Sequence, residues 1–181
     1  MIHEEAVPDE LRYPVGRFEP REELTPADRR ELIEEIAALP GRLEAAVSDL
    51  TPEQLDTPYR PGGWTVRQVV HHLPDSHMNG YVRFKLAVTE NTPTIKPYDQ
   101  AAWAELPDAR DSDIGPSLTL LEGLHERWIA FLESLGPEDF DVEFDHPELG
   151  PIDLAWNLQL YAWHCRHHLA HVTSLRERMA W

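Results

Sequence analysis

The sequence predicts an all-α fold, a four-helix bundle with long crossover connections. Three observations lead there. Four long stretches place apolar residues at helical spacing, one turn apart on one face. No stretch alternates apolar and polar residues as a half-buried strand does, and no short repeat is present. The composition, 41% hydrophobic with only nine glycines in 181 residues, suits one helical domain with a sizeable core. The domain assignment is therefore 1–181, with 1–24 as an irregular N-terminal arm.

The arm holds three prolines and mixed charge, and includes Tyr13-Pro14-Val15-Gly16. Thr25-Pro26 then supplies an N-cap followed by proline at the first helical position. Leu32, Ile33, Ile36, Leu39, Leu43, Val47 and Leu50 carry this first helix to about residue 50, with a kink or brief break expected at Pro40-Gly41. Thr51-Pro52-Glu53-Gln54 is a second capped start, for a short turn of helix. After the loop around Pro61-Gly62-Gly63, a second long helix is predicted from about Thr65 to Glu90. Its stripe is Val66, Val69, Val70, Leu73, Tyr81, Phe84 and Val88, and Pro74 inside it predicts a bend after His72. Residues 91–113, with three prolines, form a connection long enough to cross over and cover a site. A third helix spans about Ser117 to Leu135, on Leu118, Leu121, Leu124, Trp128, Phe131 and Leu132. Residues 136–152 read as loop, and a fourth helix runs from near Ile152 to about Met179.

Charge and cysteine content exclude several functions. The formal charge is −17, from 33 acidic against 16 basic residues, which disfavours phosphate backbones and anionic membranes. The lone Cys165 excludes an internal disulfide and a cysteine-based zinc site. No apolar run approaches the ~20 residues of a membrane span. The acidic start lacks the apolar stretch of a signal peptide, so a cytoplasmic protein is expected.

The chemistry lies in the histidines. Seven of the ten fall in two segments about ninety residues apart: His71, His72 and His77, and His164, His167, His168 and His171. On the fourth helix Leu154, Leu158, Tyr161, Cys165, Leu169 and Val172 define the buried face. His164 and His168, four apart, share one rim of it, as two ligands of one ion require. His171 lies further round, and His167 points most nearly to solvent. On the second helix His71 and His72 leave the stripe on opposite sides, and the wheel alone does not choose between them. His77 falls on the stripe as a core or outer-sphere residue, while His3, His125 and His146 read as surface. Asp75 and Asn79 flank His72 at helical spacing and are candidates to orient an imidazole or water. The six tryptophans read as core and interface.

A site of three imidazoles suits zinc, nickel or another borderline ion, and leaves a coordination position open for water or substrate. No Glu follows His164, so the pattern is not that of the zincin proteases, and the inner faces lack the carboxylates of di-iron bundles. The competing reading is a non-catalytic bundle whose ion is structural or sensory, or histidines that merely decorate a helix.

The run from Pro58 to His72, Asp75-Ser76-His77-Met78-Asn79, Arg83-Phe84-Lys85-Leu86, Pro93 to Asp99 and Tyr161 to His171, together with Tyr13-Pro14-Val15-Gly16, resembles the YfiT branch of the DinB superfamily. The resemblance covers nearly the whole chain. It implies a four-helix bundle, a homodimer, and one divalent ion per chain held by His72, His164 and His168. Zn2+ is the expected ion, with Ni2+ as the alternative. Members are described as zinc-dependent hydrolases, and related members as transferases that join a low-molecular-weight thiol to electrophiles. The resemblance therefore implies a small-molecule substrate, with metal-bound water or thiolate as the nucleophile and no catalytic side chain identified. Pro74 is a departure from the family's unbroken helix.

Overall fold

The computed structural model describes residues 7–181, so His3 lies outside the described residues. In chain order the elements are α1 (Asp9–Arg12), α2 (Pro26–Val47), α3 (Pro52–Leu55), α4 (Val66–Thr89), α5 (Gln100–Ala104), α6 (Pro107–Arg110) and α7 (Gly115–Glu133). A 3-10 turn at Pro137–Asp141, strands β1 (Glu143–His146) and β2 (Gly150–Asp153), and α8 (Leu154–Met179) complete the chain.

The helix starts follow the local chemistry. Thr25, Thr51 and Thr65 each accept a hydrogen bond from the backbone N–H three residues on, whose side chain accepts one in return. These capping boxes satisfy donors that a helix start leaves bare. Neither proline ends its helix, since α2 runs on through Pro40 and α4 through Pro74. Where 136–152 read as loop, β1 and β2 pair antiparallel in a short hairpin, Phe144 opposite Ile152, both buried. Its turn needs Gly150, whose φ is +80°.

The four long helices form the bundle. α2 packs on α8 and α7, and α4 packs on α7 and α8. The order around the bundle is thus α2, α8, α4, α7, with α2 facing α4 and α7 facing α8 across it. The diagonal steps fall at 48–65 and 134–153, whereas the long connection 90–114 joins the neighbours α4 and α7. The core between them holds Ile36, Leu39, Val69, Phe84, Trp128 and Leu158, with little or no exposure.

The 90–114 connection explains an anomaly in α4. Residues 66–74 are buried all round, although an outer helix should show one polar face. Here α5 and α6 lie on that face. Gln68 donates to the Ala104 carbonyl at 2.7 Å, and Arg67 to the Ser112 carbonyl at 2.9 Å. Polar side chains buried this way keep their partners, so the cover is tolerated.

Candidate metal centre

Each histidine segment is presented by a long helix, α4 or α8, and these two pack together. His71 and His72, adjacent in sequence, part company. His71 points outward, its Nδ1 2.7 Å from the Ser117 hydroxyl at the start of α7 and its Nε2 3.4 Å from the Ser112 carbonyl of the cover. His72 points inward, its Nε2 3.2 Å from Nε2 of His164. His72, His164 and His168 bring one ligand atom each within 4.8 Å of one another. Donors around a tetrahedral ion with ~2.05 Å bonds lie about 3.3 Å apart, so the 3.2 Å spacing matches what one ion would impose. His167, His168 and His171 form a second such group, sharing His168.

The electrostatics favour ligation. Burial pushes the His72 imidazole down to about 4 and holds those of His164 and His168 well below the ordinary histidine range; neighbouring imidazoles add to each shift. All three are neutral at pH 7, the form that donates a lone pair. Among the described residues, buried Nδ1 of His168 has no hydrogen-bond partner, nor do those of His167 and His171. The three residues thus fit a divalent ion by spacing, protonation and donor type.

Behind His164 lies a column of polar contacts. Its Nδ1 is 3.1 Å from Nε2 of His77, whose Nδ1 is 2.7 Å from Nε2 of His125. The far nitrogen of His125 donates to the Ile36 carbonyl at 2.8 Å. His77 is fully buried, as its place on the stripe predicts. His125 corrects the surface reading, at 2% exposure. The signal was present: Leu121, His125, Trp128 and Leu132 are spaced four, three and four apart and all are buried. His146 is also buried, because strand β1 packs on α4.

His167 corrects a second expectation, since it is buried rather than directed to solvent. The wheel describes one helix only, and the N-terminal segment lies across this face of α8. The Arg12 carbonyl accepts from His171 at 3.2 Å, and Trp163 donates to the Gly16 carbonyl at 3.1 Å. His167 stacks on Trp163 at 4.3 Å, and His171 on Tyr59 at 3.9 Å. Trp64 lies 4.7 Å from His72 and, near-parallel, 6.3 Å from His168. Two tryptophans read as core or interface, Trp64 and Trp163, therefore wall the site. The Asn79 side chain folds back along α4 to donate to the backbone carbonyl of Asp75 at 2.8 Å, and neither residue's side chain is hydrogen-bonded to an imidazole among the described residues.

A cavity of about 420 Å³ opens beside His164 and His168, with Trp64, Tyr13, Arg12 and Arg60 on its walls. Among the described residues no aspartate or glutamate lines it, although the chain carries a net −17. Cys165 faces the core instead, where burial pushes its thiol far up.

Comparison with known proteins agrees with this architecture. A family model described as the DinB superfamily matches residues 35–172. A Bacillus cereus protein is 55% identical over 173 residues, 96% of this chain and 99% of its own. A Bacillus mycoides protein is 55% identical over 172 residues, 95% and 99%. Both carry the provisional name of metal-dependent hydrolase. The solved structure of YfiT from Bacillus subtilis superposes with a TM-score of 0.93 at 50% identity, covering 95% of this chain and 99% of that one. It is described, again provisionally, as a metal-dependent hydrolase with an unusual four-helix bundle topology. A more distant structure, TT2238, a four-helix bundle protein, has a TM-score of 0.59 at 19% identity, covering 81% and 98%, and speaks for the fold alone.

Proposed function

The chain belongs to the DinB superfamily, and from that premise we propose that it is a metal-dependent hydrolase with one divalent ion held by His72, His164 and His168. The observation that carries this reading is the meeting of three neutral imidazoles, their ligand atoms within 4.8 Å, beside an open cavity. Zn2+ is the ion proposed first, with Ni2+ second, since imidazole serves both. Bound there, the ion would supply Lewis acidity and activate a nucleophile at neutral pH.

The chain's own residues bind, orient and shield. Trp64 packs on both His72 and His168, limiting their rotation and the water that reaches them. Arg12 and Arg60 line the cavity, and neither is ion-paired among the described residues, so both are available to a polar or anionic small molecule. The same arrangement supports a second reading, transfer of a low-molecular-weight thiol to an electrophile. Cys165 is sealed in the core, so such a thiol would come from solution into this cavity. A homodimer and a cytoplasmic setting complete the proposal, supported by the likeness to the YfiT branch and by the absence, among the described residues, of any helix able to cross a membrane.

The test pairs zinc titration with turnover. We expect one zinc per chain, lost in His72→Ala and His168→Ala and kept in His71→Ala. Loaded protein should cleave an ester or amide, or join a thiol to monochlorobimane, while chelation should abolish turnover and leave helical circular dichroism intact. Loss of binding in His71→Ala but not His72→Ala would overturn the ligand set. Unfolding on chelation, with no turnover when loaded, would make the ion structural.

A further inference from the structure

We propose that His77 and His125 are positioning residues that set the tautomer of His164, and that the setting originates at the carbonyl of Ile36. The inference rests on the ligand set proposed above, in which His164 offers Nε2 to the ion. Its root is Pro40. In an unbroken helix the Ile36 carbonyl would accept from the N–H of residue 40, but proline has none. The orphaned carbonyl accepts instead from Nδ1–H of His125, at 2.8 Å.

From that contact the protons follow in one order. A carbonyl only accepts, so Nδ1 of His125 carries the hydrogen, and in a neutral ring Nε2 is then bare. Bare Nε2 of His125 must accept, so His77 donates through Nδ1–H, at 2.7 Å. His77 is then bare at Nε2, which accepts Nδ1–H of His164 at 3.1 Å. His164 is left with a bare Nε2, the atom 3.2 Å from Nε2 of His72. Reversing one ring would place two hydrogens, or two lone pairs, face to face across direct contacts of 2.7 and 3.1 Å, too short for a bridging water. His77 is 0% exposed, and Trp128 and Tyr161 stand edge-on to it at 5.7 and 5.4 Å. No other donor or acceptor reaches its nitrogens among the described residues. The column therefore transmits a choice made on α2 to a ligand atom on α8. Ligating histidines commonly hold their free nitrogen against one such partner. Here the partner is a second histidine, which needs a third.

The test reads the tautomers directly. In metal-free, 15N-labelled protein at pH 7.5, two-bond proton–nitrogen correlation spectra should show His77, His125 and His164 each protonated at Nδ1 and bare at Nε2. Zinc should shift Nε2 of His164 and leave its Nδ1 protonated. His125→Phe keeps bulk but removes the anchor, and should abolish the single tautomer at His77 and His164 and weaken zinc binding about 10–100-fold. His125→Gln, which retains a donor and an acceptor, should recover most of that affinity, whereas a merely space-filling role would favour Phe. Protonated Nε2 on His77 or His164 in the wild-type spectrum would overturn the inference, as would wild-type zinc affinity in folded His125→Phe. The wild-type spectrum decides the tautomers even where a variant misfolds. Should zinc binding ignore His164→Ala, the ligand set fails while the spectrum still judges the column.

Discussion

Gly80 offers the sharpest test of how the bundle holds the site. It lies in α4 where that helix comes nearest to Tyr161 of α8, and a Cβ there would sit 2.3 Å from Cζ and 2.7 Å from the hydroxyl oxygen of that ring. Carbon atoms in contact prefer about 3.5–4.0 Å, so Gly80→Ala demands roughly 1 Å of movement. Tyr161 has little freedom to give it. The ring is 4% exposed, its hydroxyl donates to the Ser76 carbonyl at 3.1 Å, and Trp128 meets it at 5.1 Å. The helices must then separate. Overpacking of this kind costs about 1–3 kcal/mol, against about 1 kcal/mol gained from alanine's helix propensity. We expect a net loss of up to about 2 kcal/mol and a lower melting temperature. Because His72 stands on α4 and His164 and His168 on α8, the same separation should open the triad. Metal–nitrogen bonds tolerate only about 0.2 Å, so zinc affinity should fall at least about tenfold. Gly123→Ala is the control, a helical glycine of α7 with nothing within 4 Å, and should raise the melting temperature. The assay is thermal unfolding with and without zinc, beside competitive zinc titration. If Gly80→Ala were stabilised like the control and bound zinc like wild type, the close approach of α4 and α8 would not be what spaces the triad.

Two further outcomes follow from burial. Cys165→Ala should keep most activity at a stability cost of about 1 kcal/mol, because the buried thiol packs as a small hydrophobe; a folded, zinc-loaded but inactive variant would refute this. Burial pushes both His72 and His125 down to about 4, whereas in the unfolded chain they titrate near the ordinary ~6.5. Between those values the unfolded state binds more protons. Stability of the metal-free protein should therefore be full above pH 6.5 and fall as the pH drops toward 4, by about 1.4 kcal/mol per pH unit for each such histidine. Urea unfolding at pH 7.5, 6 and 5 checks the sign, and a flat profile would contradict it.

Much of the molecule was legible from local rules. Thr25, Thr51 and Thr65 mark helix starts because a capping box is made by residues three apart, without help from the rest of the fold. His164 and His168 share a rim of α8 because helical periodicity alone puts them there. That Cys165 faces inward followed from the same wheel.

Tertiary structure decided what one helix cannot know about its neighbours. His71 and His72 leave their stripe on opposite sides, and only the placement of the 90–114 cover and the start of α7 on one side and α8 on the other separates their roles. His167 looked outward until the segment around Arg12 and Gly16 lay across it. The burial of His125 has a different physical origin. A polar residue on an apolar stripe is costly unless paired, and its pairing depends on a carbonyl that Pro40 frees on another helix, 89 residues away. Periodicity is carried by the covalent chain, but the partner of a buried polar group is set by which helices meet, and that is a property of the whole fold.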